Sequence, residues 1–150
     1  MSKRLWVALL LALPAFSACG GGDSTGPSDA NVGGVWTFSI SNMSGQGVSC
    51  RLGNTPLTLS QSGRTFTGSY GPGTLTCQAG SEAFSGTTQG TIVSGTVDAN
   101  AVQFDLDTQD FHHTGSISGN SMSGSARWIL DLGGSVGVIT LNGNWAAARQ

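Results

Sequence analysis

From Gly34 onward the chain alternates large apolar residues with small polar ones, the two-residue period of a strand with one buried face. Trp36, Phe38 and Ile40 fall on one face of the first segment, and Thr37, Ser39 and Ser41 on the other. Leu57 and Leu59 follow. A Ser62-Gly63 turn then leads to Phe66, Gly68 and Tyr70, and on to Leu75 and Cys77. Val93, Gly95 and Val97 turn at Asp98-Ala99-Asn100 into Val102, Phe104 and Leu106. Phe111, His113, Gly115 and Ile117 turn at Gly119-Asn120 into Met122, Gly124, Ala126, Trp128 and Leu130, and Ile139, Leu141, Gly143 and Trp145 form the last segment. Turn signals this close together predict about eight or nine antiparallel strands, each hydrogen-bonded to the next in sequence.

With one apolar face per strand and no helical stretch to cover it, the sheet has to close or fold over itself. The sequence therefore predicts an all-β domain, a small antiparallel up-and-down barrel of about eight strands, with a β-sandwich as the alternative. Inward glycines at 68, 95, 115, 124 and 143 suit the sharp coiling of a small barrel. A barrel embedded in a membrane would be apolar outside and polar inside. Here the outward set, including Gln103, Asp105, Asp107, Ser121, Ser123, Ser125, Arg127 and Asp131, is polar, so the aromatic face is the core.

The first residues have a different character. Lys3 and Arg4 precede an uncharged apolar run, Leu5 to Phe16, and the small residues Ser17 and Ala18 lead to Cys19. The run is shorter than the about 20 residues that span a bilayer and has the layout of an export signal. Phe16-Ser17-Ala18-Cys19 resembles the lipobox of the bacterial lipoprotein export family. The resemblance implies a signal peptide over 1–18 and a thiol at Cys19 that takes a diacylglyceryl lipid and anchors the mature protein in the cell envelope. It also implies outer-membrane sorting, facing the periplasm or the surface, because Gly20 rather than Asp follows the lipidated residue. Residues 19–33 then read as the lipidated cysteine with a flexible Gly/Ser/Asp tether, and residues 34–150 as the barrel domain.

Beyond residue 18 the chain keeps four arginines and no lysine against eight carboxylates. A nucleic-acid partner is excluded, since nothing clusters to replace phosphate counterions, and a lysine Schiff base is excluded as well. With Cys19 lipidated, Cys50 and Cys77 remain, and a leftover pair in an exported protein predicts a disulfide. Closing that loop is worth roughly 3 kcal/mol on the chain-entropy estimate.

Catalytic chemistry finds little support. Gly133-Gly134-Ser135-Val136-Gly137 matches the pattern of a nucleophile elbow, but lies in a glycine-rich loop between strands, where an elbow requires a following helix. His112 and His113 are adjacent on a strand, so they point to opposite faces and cannot chelate one ion. His113 falls inward beside Phe111 and Ile117, and His112 outward. Asp105, Asp107 and Asp110 read as a solvated edge. No catalytic residue, metal or cofactor is expected, and the chain reads as a non-enzyme.

Gly34-Val35-Trp36 on the first strand resembles the G-x-W of the lipocalin and avidin group of small barrels, with Arg149, after Gly143-Asn144-Trp145, as the late arginine. Leu57 through Tyr70 is also similar to hairpins of lipocalin-like bacterial lipoproteins. The resemblance implies a calycin-type barrel in which Trp36 plugs one end beneath Arg149, and it implies no particular ligand. Two functions follow. One is a noncatalytic binding module that takes a small apolar or amphipathic molecule, lined by Trp128, Phe104 and His113. The other is a solid barrel acting as a structural or protein-interaction module through its loops, in the manner of a protease inhibitor, with a protein partner that the sequence does not identify.

Overall fold

A computed structural model of the chain describes residues 28–107, 110–131 and 137–150. The signal segment, Cys19, the tether up to residue 27 and the Gly133–Val136 part of the elbow-like motif lie outside the described residues.

Eight strands form one closed antiparallel barrel. They are β1 (Gly34–Gly45), β2 (Val48–Ser62), β3 (Thr65–Ala79), β4 (Glu82–Asp98), β5 (Ala101–Leu106), β6 (Phe111–Ser118), β7 (Ser121–Asp131) and β8 (Val138–Arg149). Each strand pairs with the next, and β1 pairs with β8 through Trp36 opposite Arg149 and Ile40 opposite Trp145. Closure removes the sheet edge that an open meander would expose. The sandwich alternative is thereby excluded.

Alternation does what the sequence predicts over most strands. Trp36, Phe38, Ile40, Leu57, Leu59, Phe66, Val97, Val102, Phe104, Ile117, Met122, Ala126, Leu141 and Trp145 are all buried in one core. The inward glycines sit where another strand presses close. A Cβ on Gly115 would meet the Ser123 carbonyl and lie 2.8 Å from the Trp145 ring, and one on Gly124 would meet the Thr114 carbonyl. Gly115 opposes Gly124, Gly124 opposes Trp145, and the Trp145 indole N–H donates to the Thr114 carbonyl at 3.0 Å. An aromatic side chain thus covers the space the two glycines leave open. Cys50 and Cys77 oppose each other on β2 and β3 and form a disulfide.

The structure departs from the simple pattern in three places. Ser94 has a left-handed backbone (φ 53°), and the register of β4 with β5 shifts there. Val93, expected inside, is therefore half-buried on the outer face, and Ile92 enters the core. Secondly, β4 starts at Glu82, and over Glu82–Gly90 it pairs with β3 alone among the described residues, so its other edge is free and Phe84 is exposed. Thirdly, the last part of the segment read as tether belongs to the barrel: Val32 is fully buried and Ala30 packs on the core.

That N-terminal segment seals one end. Asp29 accepts from the Ala99 N–H at 2.8 Å, Ala30 donates to the Ala99 carbonyl at 2.7 Å, and Val32 donates to the Gln61 side chain at 2.6 Å. Trp36 donates its indole N–H to the Val32 carbonyl at 2.9 Å. Arg149 reaches back to the Gly33 and Asn31 carbonyls at 2.5 and 2.7 Å. Gly34 is required here. Its φ of 126° is open only to glycine, and a Cβ would lie 2.8 Å from the Arg149 guanidinium.

Candidate functional site: the open mouth of the barrel

The other end of the barrel, where β1, β5 and β7 finish and β2 and β6 begin, is open. A cavity of about 260 Å³ occupies it. Its floor is apolar: Ile40, Met43, Leu52, Leu75 and Leu106 supply aliphatic surface, and the Cys50–Cys77 bridge borders it through Cys50. One wall is aromatic. Phe111 and Trp128 oppose each other across β6 and β7, and their rings stack with centres 4.8 Å apart and planes 11° from parallel.

The polar groups come from β3, β4 and the residue that follows β5. Tyr70 on β3 donates its hydroxyl to Asp107 Oδ2 at 2.6 Å, and Thr88 Oγ1 lies 3.5 Å from the same hydroxyl. Asp107 Oδ1 accepts from the Thr91 N–H at 2.7 Å, while the Asp107 N–H donates to the Thr91 carbonyl at 2.9 Å. The local backbone explains the carboxylate's position. Asp107 follows the last residue of β5 with φ 56°, which breaks the alternation of that strand. It comes to rest over Gly90, where any Cβ would overlap the carboxylate. Burial, and next the hydrogen bond to Asp107, push the Tyr70 hydroxyl up to about 12, so it stays a neutral donor at ordinary pH. Arg51 completes the rim from β2, between the inward Cys50 and Leu52.

Of the residues expected to line a ligand site, Trp128 does so, and Phe104 and His113 do not. Phe104 is 2% exposed and His113 fully buried, deeper in the barrel, where their rings stack at 4.7 Å with planes 3° apart. Phe38, Phe111 and Trp145 surround the imidazole. Its Nδ1 lies 3.1 Å from the Phe111 carbonyl, to which Nδ1–H donates, and its Nε2 has no hydrogen-bond partner among the described residues. Burial carries the His113 pKa down to about 3, and the ring is neutral.

Of the aspartates expected to form a solvated edge, Asp107 and Asp110 are exposed, Asp107 at the rim of the cavity, and Asp105 is buried. Asp105 is 6% exposed and lies 2.5 Å from His112 Nδ1, directly across from it on β6, and Asp107 faces the cavity. The Tyr70–Asp107 pair escaped sequence reading. A period of two places residues 105 and 107 on one face, and only the left-handed turn at 107, which nothing in the local sequence announces, separates them. At the sealed end, Trp36 is fully buried with the Arg149 guanidinium 4.3 Å from its ring centre.

Fold and site together define a closed eight-stranded antiparallel barrel with one sealed end and one open, largely apolar mouth. No protein-family model, curated protein or solved structure matches the chain.

Proposed function

We propose that the protein is a lipid-anchored, noncatalytic lipoprotein of the bacterial cell envelope that takes a small apolar or amphipathic molecule into the mouth of a lipocalin-like barrel. The cavity carries this reading. It is apolar at the floor, has a few fixed polar groups at one side, and is open at one end only, the usual make-up of a small-molecule site. At about 260 Å³ it suits a compact ligand or the end of a longer one. The anchor rests on the lipobox resemblance around Cys19, with membrane attachment through the lipid in the outer membrane. The described chain enters the barrel at the sealed end, opposite the mouth.

The test is native mass spectrometry of residues 20–150 exported to the periplasm and purified without detergent. Every strand pairing, the cap and the disulfide lie within this span. A mass of a few hundred daltons lost on denaturation supports the carrier reading, and equal native and denatured masses oppose it. Loss of palmitate labelling in Cys19→Ser tests the anchor.

One observation favours the second reading, a protein-interaction module. The β4 edge at Glu82–Gly90 is unpaired among the described residues and bears the exposed Phe84, a surface on which a strand of another protein could add. Crosslinking from position 84 to an envelope protein would support it.

A further inference from the structure

The mouth holds a carboxylate whose position is determined several times over. Asp107 is fixed by a left-handed backbone, by the Thr91 N–H, by the Tyr70 hydroxyl and by the absence of a side chain at Gly90. An ionised carboxylate has about four acceptor positions. Two are taken by these donors, and the others remain for a group entering the cavity. Such rigidity is unnecessary for a residue that merely keeps a rim soluble.

We infer that the mouth takes an organic amine, a short apolar body with a protonated amino group that rests on Asp107. This rests on the reading of the cavity as a ligand site. The aliphatic floor accepts the body, and the Phe111–Trp128 wall offers ring faces that attract a cation. The chain beyond residue 18 carries twice as many carboxylates as arginines, so its field also draws cations. Arg51, the other charge at the rim, would favour an anionic head. Both charges are exposed, but Arg51 stands on an outward-facing position of β2, whereas Asp107 is held in place by the Thr91 N–H and the Tyr70 hydroxyl.

The experiment is an NMR titration of ¹⁵N-labelled residues 20–150 at neutral pH with three probes that share one body: n-hexylamine, 1-hexanol and hexanoate. The Thr91 amide, which donates to Asp107, and the Trp128 indole report the site. Hexylamine is expected to bind at least tenfold more tightly than hexanol, with hexanoate weakest. Asp107→Asn, which keeps the shape and an Oδ1 acceptor for the Thr91 N–H while turning an amide N–H toward the Tyr70 hydroxyl oxygen, should bring hexylamine down to the level of hexanol and leave hexanol unchanged. Equal affinities for the three probes, or a preference for hexanoate, would overturn the amine assignment while leaving the cavity a binding site. No perturbation of Thr91 or Trp128 by any probe would overturn both. Should Asp107→Asn fail to fold, the head-group series on the unaltered barrel still decides.

Discussion

The Arg149 guanidinium lies 4.3 Å from the centre of the Trp36 ring, so the last residue of β8 is clamped over the start of β1. The same guanidinium donates to the carbonyls of Gly33 and Asn31, tying the entering chain to the leaving one. Hydrogen bonds from a charged donor contribute about 1.5–3 kcal/mol each when buried, and less at a half-exposed site such as this. Arg149→Ala should therefore destabilise the barrel by about 2 kcal/mol, and Arg149→Lys should recover less than half, because a lysine cannot fork between two carbonyls while stacking on indole. Thermal melts of the three proteins check this. An unchanged melting temperature in Arg149→Ala would show that Trp36 and the backbone seal the end by themselves.

The barrel was legible because its core strands obey one rule. Trp36-Phe38-Ile40, Val102-Phe104-Leu106 and the Met122 to Ala126 run each turn every second residue toward the interior, and tight turns between strands leave only neighbouring antiparallel pairing. Legibility failed where the backbone departs from β geometry. Ser94 and Asp107 both have left-handed φ, each reverses the facing of residues around it, and neither is a glycine that would have signalled the change. The start of β4 escaped for another reason: Glu82–Thr87 is exposed on both faces, so it has no apolar period to read. Because the candidate site is built from Asp107 and its partners, it was hidden along with that turn, and Trp128 alone of the expected lining residues reaches it.

His113 makes the stability of the fold sensitive to acid. It is neutral in the core with its pKa lowered by burial to about 3, while in the unfolded chain it takes a proton below its ordinary 6.5. Its contribution is complete above about 6.5 and is lost as pH falls toward 3, since in that window the unfolded state binds more protons. Linkage places the loss between pH 7 and pH 4 at roughly 3 kcal/mol. His113→Phe retains a ring for Phe104 to stack on and removes the titration, so its urea midpoint should fall much less over the same interval. Parallel acid dependence in both proteins would show that the carboxylates, and not this imidazole, set the acid limit.

Tyr70 can be followed by itself, because it is the chain's one tyrosine. Burial and the Asp107 hydrogen bond hold it near 12, against 10 when exposed. Absorbance at 295 nm should titrate near pH 12 in the folded protein and near 10 in urea. Asp107→Asn should move the folded midpoint part of the way down, since burial, the larger cause, remains. The phenol is neutral in the fold, so its share of stability is complete below about pH 10 and declines as pH rises through 12. A folded protein that titrates at 10 would place Tyr70 in water, away from Asp107.

Gly115 and Gly86 form a matched pair for testing how tightly the barrel is wound. Both are strand glycines, but a Cβ at 86 meets nothing within 4 Å, whereas one at 115 meets the Ser123 carbonyl and lies 2.8 Å from the Trp145 ring. Replacing glycine by alanine reduces the freedom of the unfolded chain and by itself stabilises by about 0.4–1 kcal/mol where the backbone permits it. Gly86→Ala should therefore be neutral or slightly stabilising. Gly115→Ala should instead cost about 1–3 kcal/mol through overpacking, because the neighbour it strikes is backbone and cannot rotate away. The displaced Trp145 ring would lose its bond to the Thr114 carbonyl, so the near-ultraviolet circular dichroism should change in Gly115→Ala and not in Gly86→Ala. Equal stability of the two variants would mean that β6 and β7 can separate to admit a methyl group, and that the glycine row does not set the barrel's width.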